Sequence, residues 1–446
     1  MSLRAIDCQA NTAGGLGRGR LATWISLVLL AILMWIVGIE YGWRRGTLVI
    51  LGGLLGVTLY YSSFGFTAAW RLLVFERRGA GVRAQLLMLA LAVILFFPLL
   101  AAGQVFDQPL RGHVAPVGVS VVVGAFLFGV GMQLGGGCGS GTLFSVGGGQ
   151  ARTLLTLLSF ITGATVVTFH LPWWTTLPTL GPISLIDQIG WLGGLTISLC
   201  LFATLYFLVG RFSTREPDSL AGGETPRHLI RGPWPLLWGA IALAVLNAAI
   251  LVLSGRPWGI TGAFSLWGGH ALHAAGIPLE SYVYWAEHDF GQSLLSHVPT
   301  TTNLGIILGA AAATGLMGKF SPTLRLSSRG AVTAVLGGLM MGYGARLAFG
   351  CNIGALFGGI SSGSLHGWLW LVCGFAGSIL GVHVRKWIGD GPYGGRKRDG
   401  GSLRSECVSK GDVPTAIKHG PRSLSNATDS SKRCDLRGVL ASDRDR

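Results

Sequence analysis

Ten apolar runs, each close to the length that crosses a hydrocarbon core of about 30 Å, dominate this chain of 446 residues. They fall near positions 22–39, 47–61, 85–102, 117–134, 153–170, 191–210, 236–254, 303–318, 331–349 and 367–384. Where water is absent a segment must satisfy its own backbone amides, so such runs specify an all-α polytopic membrane protein. Charged residues make up only 12% of the chain, too few to coat water-soluble domains of this size. Several runs are short for a full span around the glycine-rich segments, which predicts broken or re-entrant helices there.

The formal net charge of +15 sits in clusters at 71–83, 211–231, 318–329 and after the last run. With ten crossings these clusters share one side with an N-terminal arm bearing Arg4, Arg18 and Arg20. The positive-inside rule makes that side cytoplasmic, and both termini with it. Basic residues placed this way call for a lipid bilayer and not for nucleic acid. The stretch "EYGWRRG" at 40–46 is the exception, with two arginines on the other side. Residues 1–21 read as a cytoplasmic arm and 389–446 as a disordered basic cytoplasmic tail.

The chain repeats itself. "GAFLFGVGMQLGGGCGSGTLF" from Gly124 aligns without a gap on "GGLMMGYGARLAFGCNIGALF" from Gly337, at a constant offset of 213, with nine of 21 positions identical. "FGFTAAW" at 64–70 matches "TGAFSLW" at 261–267 more weakly, sharing Gly65/Gly262 and Trp70/Trp267. The reading is two homologous repeats of five runs, 22–185 and 186–388. An odd number of crossings per repeat inverts the second repeat in the membrane. Inverted repeats place their sites near the midplane, where discontinuous helices meet at a central constriction.

Seven cysteines occur without any CxxC pair, so neither a disulfide framework nor a zinc site is indicated, and no cofactor or metal is expected. Cys138 and Cys351 stand at equivalent positions of the repeat. Gly137, Gly139 and Gly350 beside them allow the close approach and unusual backbone angles that non-helical chain inside a membrane requires. Free amides at the start of a short helix favour an anion. Ser140, Thr142 and Asn352 are polar neighbours for such a ligand. Gln133 and Arg346 each stand five residues before a cysteine; Arg346 either attracts an anion or reaches to an interface. Trp70, Trp267, Arg256 and Thr261 are weaker candidates, and His270, His273 and His366 read as structural. The thiols themselves have several uses open: hydrogen bonding to a soft anion, nucleophilic persulfide chemistry, metal ligation, or simple packing. No carboxylate pair or Ser-His-Asp set lies in the apolar regions, so the chain does not read as a hydrolytic enzyme.

Four stretches resemble the YeeE/YedE sulphur-transport family of bacterial inner-membrane proteins: "SSFGFTAAWRLLVFERRGAGVRAQ", "GMQLGGGCGSGTLF", "GRPWGITGAFSLWG" and "GYGARLAFGCNIGALFGGISSGSLHGWLW". They span residues from about 45 to 385. The resemblance implies an hourglass of inverted halves in which thiosulfate is handed on by hydrogen bonds from cysteines at the constriction, a role that falls by motif match to Cys138 and Cys351. Family members carry a further cysteine in the first paired element; Phe66 and Thr67 stand there instead. Three alternatives stay beside thiosulfate import: a permease for another sulphur or selenium compound, a membrane sulfurtransferase serving a cytoplasmic TusA-like carrier, and a structural or assembly membrane protein.

Overall fold

The computed structural model describes residues 4–214, 232–320 and 326–389, with side chains from residue 19 onward. The expected tail after residue 389 and most of the basic 211–231 loop lie outside the described residues. Helices α1 (Arg4–Tyr41), α2 (Trp43–Ser62), α3 (Phe66–Glu76), α4 (Ala80–Ala102), α5 (Val119–Gly135), α6 (Gly139–Gly147) and α7 (Ala151–Thr175) make up the first series. The second comprises α8 (Leu185–Phe212), α9 (Leu236–Ser254), α10 (Thr261–Ala274), α11 (Val298–Leu316), α12 (Ser328–Leu347), a π-helical turn (Asn352–Gly358) continued by α13 (Gly359–Ser361), and α14 (Leu365–Ile388). Each apolar run read from the sequence falls in one of the long helices, and the glycine-rich places hold the short ones. Helix α1 begins at Arg4 and includes most of the N-terminal arm.

Among the described residues, nine helical segments are long and apolar enough to cross a membrane. The tenth run lies in α11, whose first turns, "VPTTTN", dilute its hydropathy. Helix α11 packs against α1, α2 and α6 instead of standing alone. At its contact with α2 a methyl group on Gly309 would collide with the Gly53 carbonyl, so the two backbones touch as closely as small residues allow. Helices α1 and α8 turn Trp24, Trp35, Ile39, Leu192 and Phe207 outward, an apolar surface suited to lipid and not to water.

Exchanging each helix of the first series with its counterpart in the second maps most of the main helix pairs onto one another, the contact of α1 with α2 being an exception. The pair α5/α14 becomes α12/α7, α1/α11 becomes α8/α4, α2/α11 becomes α9/α4, and α10/α7 becomes α3/α14. Three pairs map to themselves: α5 with α12, α2 with α9, and α6 with the π-helical turn. In the first, Gly124 lies against Gly344 and Ala348 while Gly131 lies against Gly337 and Met341, so the helices run antiparallel. The end of α2 likewise meets the start of α9, where the Trp234 amide donates to the Tyr61 carbonyl at 2.9 Å. An axis that exchanges antiparallel neighbours is perpendicular to them, and the halves are therefore inverted.

One face of the bundle carries two short antiparallel strand pairs, β1 (Gln104–Val105) with β2 (Gln108–Pro109) and β3 (Pro116–Gly118) with β4 (Thr179–Pro182). This strand-bearing face also holds the exceptional loop at 40–46. Its arginines are straps: Arg44 donates to the Gln108 side chain at 3.1 Å and the Phe106 carbonyl at 3.0 Å, and Arg45 to the Ser296 carbonyl. Both arginines are thus tied to neighbouring loops of that face.

Candidate functional site

Both cysteines begin a short helix in nearly the same backbone conformation. Cys138 precedes α6 with φ −83° and ψ −170°; Cys351 precedes the π-helical turn with φ −97° and ψ −165°. The amide and hydroxyl of Thr142 both donate to the Cys138 carbonyl at 2.8 Å, closing the first turn of α6. The Ala355 amide does the same for Cys351 at 2.9 Å. Both thiols are buried. The Cys138 sulphur lies 3.4 Å from the Ser140 hydroxyl, and the Cys351 sulphur accepts from the Ile353 amide at 3.5 Å.

The two halves meet at these loops. A Cβ added to Gly139 would lie 3.1 Å from the Cys351 sulphur, so the thiol of one repeat occupies the space that glycine leaves open in the other. Gly350 has φ +153°, and a Cβ there would sit 2.5 Å from the Ala355 amide nitrogen; only glycine fits. The Trp370 indole fixes this turn by donating to the Gly350 carbonyl at 3.2 Å. Gly137 packs over the first turn of α6, where its Cβ would lie 3.3 Å from Gly141. Asn352 is wholly buried, and neither its amide nitrogen nor its oxygen has a hydrogen-bond partner. Buried polar groups are seldom left so, and this one stands next to Cys351.

Gln133 and Arg346, equivalent by sequence, are not brought together. The Gln133 amide is buried and donates to the Thr67 carbonyl at 3.1 Å and to the Ser378 hydroxyl at 2.7 Å, tying α3, α5 and α14. Thr67 is buried too, with its hydroxyl unpartnered. Arg346 instead faces the strand-bearing side. Its guanidinium lies 4.8 Å over the Tyr284 ring and donates to the Tyr284 hydroxyl.

There Arg346 lines a cavity of about 440 Å³ with Arg111, His113, Arg256, Trp258 and Gly354. A neighbouring cavity of about 320 Å³ shares Arg256 and Trp258 and adds Arg45 and His297. The opposite face has a smaller hollow of about 180 Å³ lined by Ser63, Gly65, Ala69, Arg78 and Gln85. The positive field of the large vestibule acts on its histidines. Burial first, then His288, Arg45 and Arg346, push His297 down to about 4. Burial and Arg256 lower His113, partly offset by its bond to the Phe349 carbonyl. Arg111 and Trp258 are not among the sequence candidates, and Arg45 is noted there only as a cation on the exceptional side; the available signal is the presence of arginines in loops otherwise poor in cations.

The family profile described as "Sulphur transport" matches residues 61–380. The chain belongs to the sulphur transport family. Among named relatives of this family, the thiosulfate transporter TsuA of Spirochaeta thermophila is 27% identical over 362 residues, 76% of this chain and 97% of the relative. The Escherichia coli thiosulfate transporter TsuA is 23% identical over 374 residues, 76% of this chain and 93% of the relative. The probable transporter YedE of Escherichia coli is 32% identical over 149 residues, 33% of this chain; the match spans only 37% of that protein. The family match contains both cysteine loops, Thr67, Gln133, Trp258 and the three vestibule arginines.

Proposed function

We propose that this sulphur-compound transporter takes up thiosulfate through a constriction formed by Cys138 and Cys351. The observation that carries the reading is the meeting of two equivalent buried thiols across an inverted-repeat axis, with the Cys351 sulphur packed over Gly139. Thiosulfate has oxygen atoms suited to N–H donors and a terminal sulphur suited to weak S–H donors. In this reading Arg111, Arg256 and Arg346 gather the dianion, Cys351 and Asn352 receive it, and Cys138 with Ser140 passes it toward Thr67 and the smaller hollow. The strand-bearing face is then external, the chain lies in a bacterial inner membrane with both termini cytoplasmic, and the repeats run over 22–185 and 186–388. A TusA-like carrier thiolate on the cytoplasmic side would take the sulfane sulphur from thiosulfate as a persulfide, with sulfite as the leaving group.

The test is uptake of isotopically labelled thiosulfate by cells lacking other importers, comparing the parent with Cys138→Ala and Cys351→Ala at matched membrane expression. Loss in both variants is expected. Full uptake in both would reduce the cysteines to packing residues, and no uptake by the parent would refute thiosulfate as the substrate. Accumulation of a persulfide on either cysteine during turnover would favour sulfurtransferase chemistry instead.

A further inference from the structure

The loop Gly255–Ile260 joins α9 to α10 between the arginine vestibule and the cysteines. Two buried asparagines pin it: the Asn247 side-chain oxygen accepts from the Trp258 amide at 2.9 Å, and the Asn303 side-chain nitrogen donates to the Ile260 carbonyl at 3.0 Å. The other repeat has a related clamp, in which Gln85 of α4 reaches the Gly65 carbonyl at 3.5 Å. There the Gln85 oxygen also accepts from the Trp70 indole at 2.9 Å, and the indole of its repeat counterpart Trp267 donates to the Thr300 hydroxyl at 3.0 Å, so both of those indoles are spent on structure.

Trp258 has no such partner. Its side chain is 1% exposed and its indole nitrogen makes no hydrogen bond, yet the residue lines both cavities of the vestibule. The loop also touches the constriction. Ile260 lies 3.7 Å from the Cβ position of Gly139, beside the Cys351 sulphur, and the Trp258 carbonyl lies 3.9 Å from that of Gly358 in the π-helical turn. An indole N–H donates and cannot accept, which excludes a cation and selects a ligand with acceptor oxygens. Its burial beside arginines also makes a donated bond to an anion stronger than the same bond in water.

We propose that Trp258 forms a second anion subsite, donating its indole N–H to an oxygen of the sulphur oxyanion as it passes from the vestibule to Cys351. The inference rests on the transport reading above. The subsite holds the oxygen end while the terminal sulphur leads toward the thiol, so it favours anions of the sulphonate type that carry a second, softer end.

The experiment uses the full chain reconstituted in vesicles, with Trp258→Phe and with benzothienylalanine at the same position, whose ring sulphur replaces the N–H at almost unchanged volume. Initial rates against labelled thiosulfate give KM, and competition by sulfate and sulfite reads selectivity. The expected result is a rise in KM of about tenfold in both variants, the size for loss of one hydrogen bond to a charged ligand, with a smaller fall in maximal rate. Unchanged KM and selectivity for the benzothienyl protein would overturn the inference while leaving the transport reading intact. If the parent itself moves no thiosulfate, the transport reading fails; equilibrium binding of sulfite to parent and benzothienyl proteins then decides the subsite, equal affinity sinking it.

Discussion

Replacing Gly139 with cysteine tests the central geometric statement, that the two repeats meet at their thiols. The position of a Cβ on Gly139 lies 3.6 Å from the Cβ of Cys351, within the 3.5–4.5 Å window of disulfides, and 3.1 Å from its sulphur, close to the separation of about 3 Å that a bridge requires. Gly139 opens α6 and is not among the residues with positive φ, so an L-residue fits the backbone. Gly139→Cys, built with Cys138→Ser to remove a competing thiol, is expected to cross-link to Cys351 under mild oxidation. The bridge would close a loop of roughly 200 residues, for which chain entropy gives about 5 kcal/mol of stabilisation when the native geometry is unstrained. The oxidised protein then loses about two daltons, yields one linked peptide pair on digestion, and melts at a higher temperature than its reduced form. If Cys351 stays free to alkylating reagents under unfolding conditions after oxidation, the convergence of the two loops is wrong.

Arg346→Gln is expected to raise KM for the anion about three- to tenfold, an effect that shrinks as ionic strength rises because vestibule charges are screened over about 8–10 Å; an effect unchanged at high salt would mean a structural role through Tyr284. Thr67→Val deletes the unpartnered hydroxyl at nearly constant volume and is expected to slow uptake several-fold, whereas Thr67→Cys retains it; equal rates for valine and threonine would remove Thr67 from the path. His297 is neutral in the folded protein, with its pKa pushed down to about 4 from 6.5, so between those values the unfolded chain binds more protons and stability falls as pH falls. The melting temperature is therefore expected to drop from pH 7 toward pH 4, and His297→Gln to flatten that slope; an identical slope in the variant would refute the assignment.

Most of the architecture was legible because its signals are local or repeated. Apolar length marked the long helices, and the 213-residue offset between Cys138 and Cys351 exposed the repeat. The short helices were announced by glycine, since backbone can leave the helical path in a membrane only where it is packed in protein. Function residues outside the repeat motif were harder. Arg111 and Trp258 lie in loops whose composition resembles many others, and what makes them notable is convergence on one cavity, which depends on how α9, α10 and α12 pack. Gln133 shows a related limit: a polar residue in an apolar run signals a need for partners, but its spacing does not say whether the partner is a ligand or, as seen here, the backbone of Thr67 and the Ser378 hydroxyl.

The departures from symmetry carry the functional sense of the molecule. A perfectly symmetric pair of inverted repeats would present the same site to both sides of the membrane. Here Gln133 is a buried tie where Arg346, its counterpart in the repeat, faces a vestibule. The result is a hollow on the strand-bearing face lined by Arg111, Arg256 and Arg346, where the hollow beside Gly65 and Gln85 on the opposite face has Arg78. Such a bias raises the local concentration and capture rate of a dianion on that face. It cannot by itself set the direction of net flux, because a charge that speeds capture from one side also slows release to that side. In the proposed thiosulfate path, net uptake needs a separate source of free energy, either consumption of the anion inside or a coupled ion. With consumption as the source, removing that downstream step is expected to leave exchange of labelled anion intact while abolishing accumulation, and accumulation that persists would point to a coupled ion.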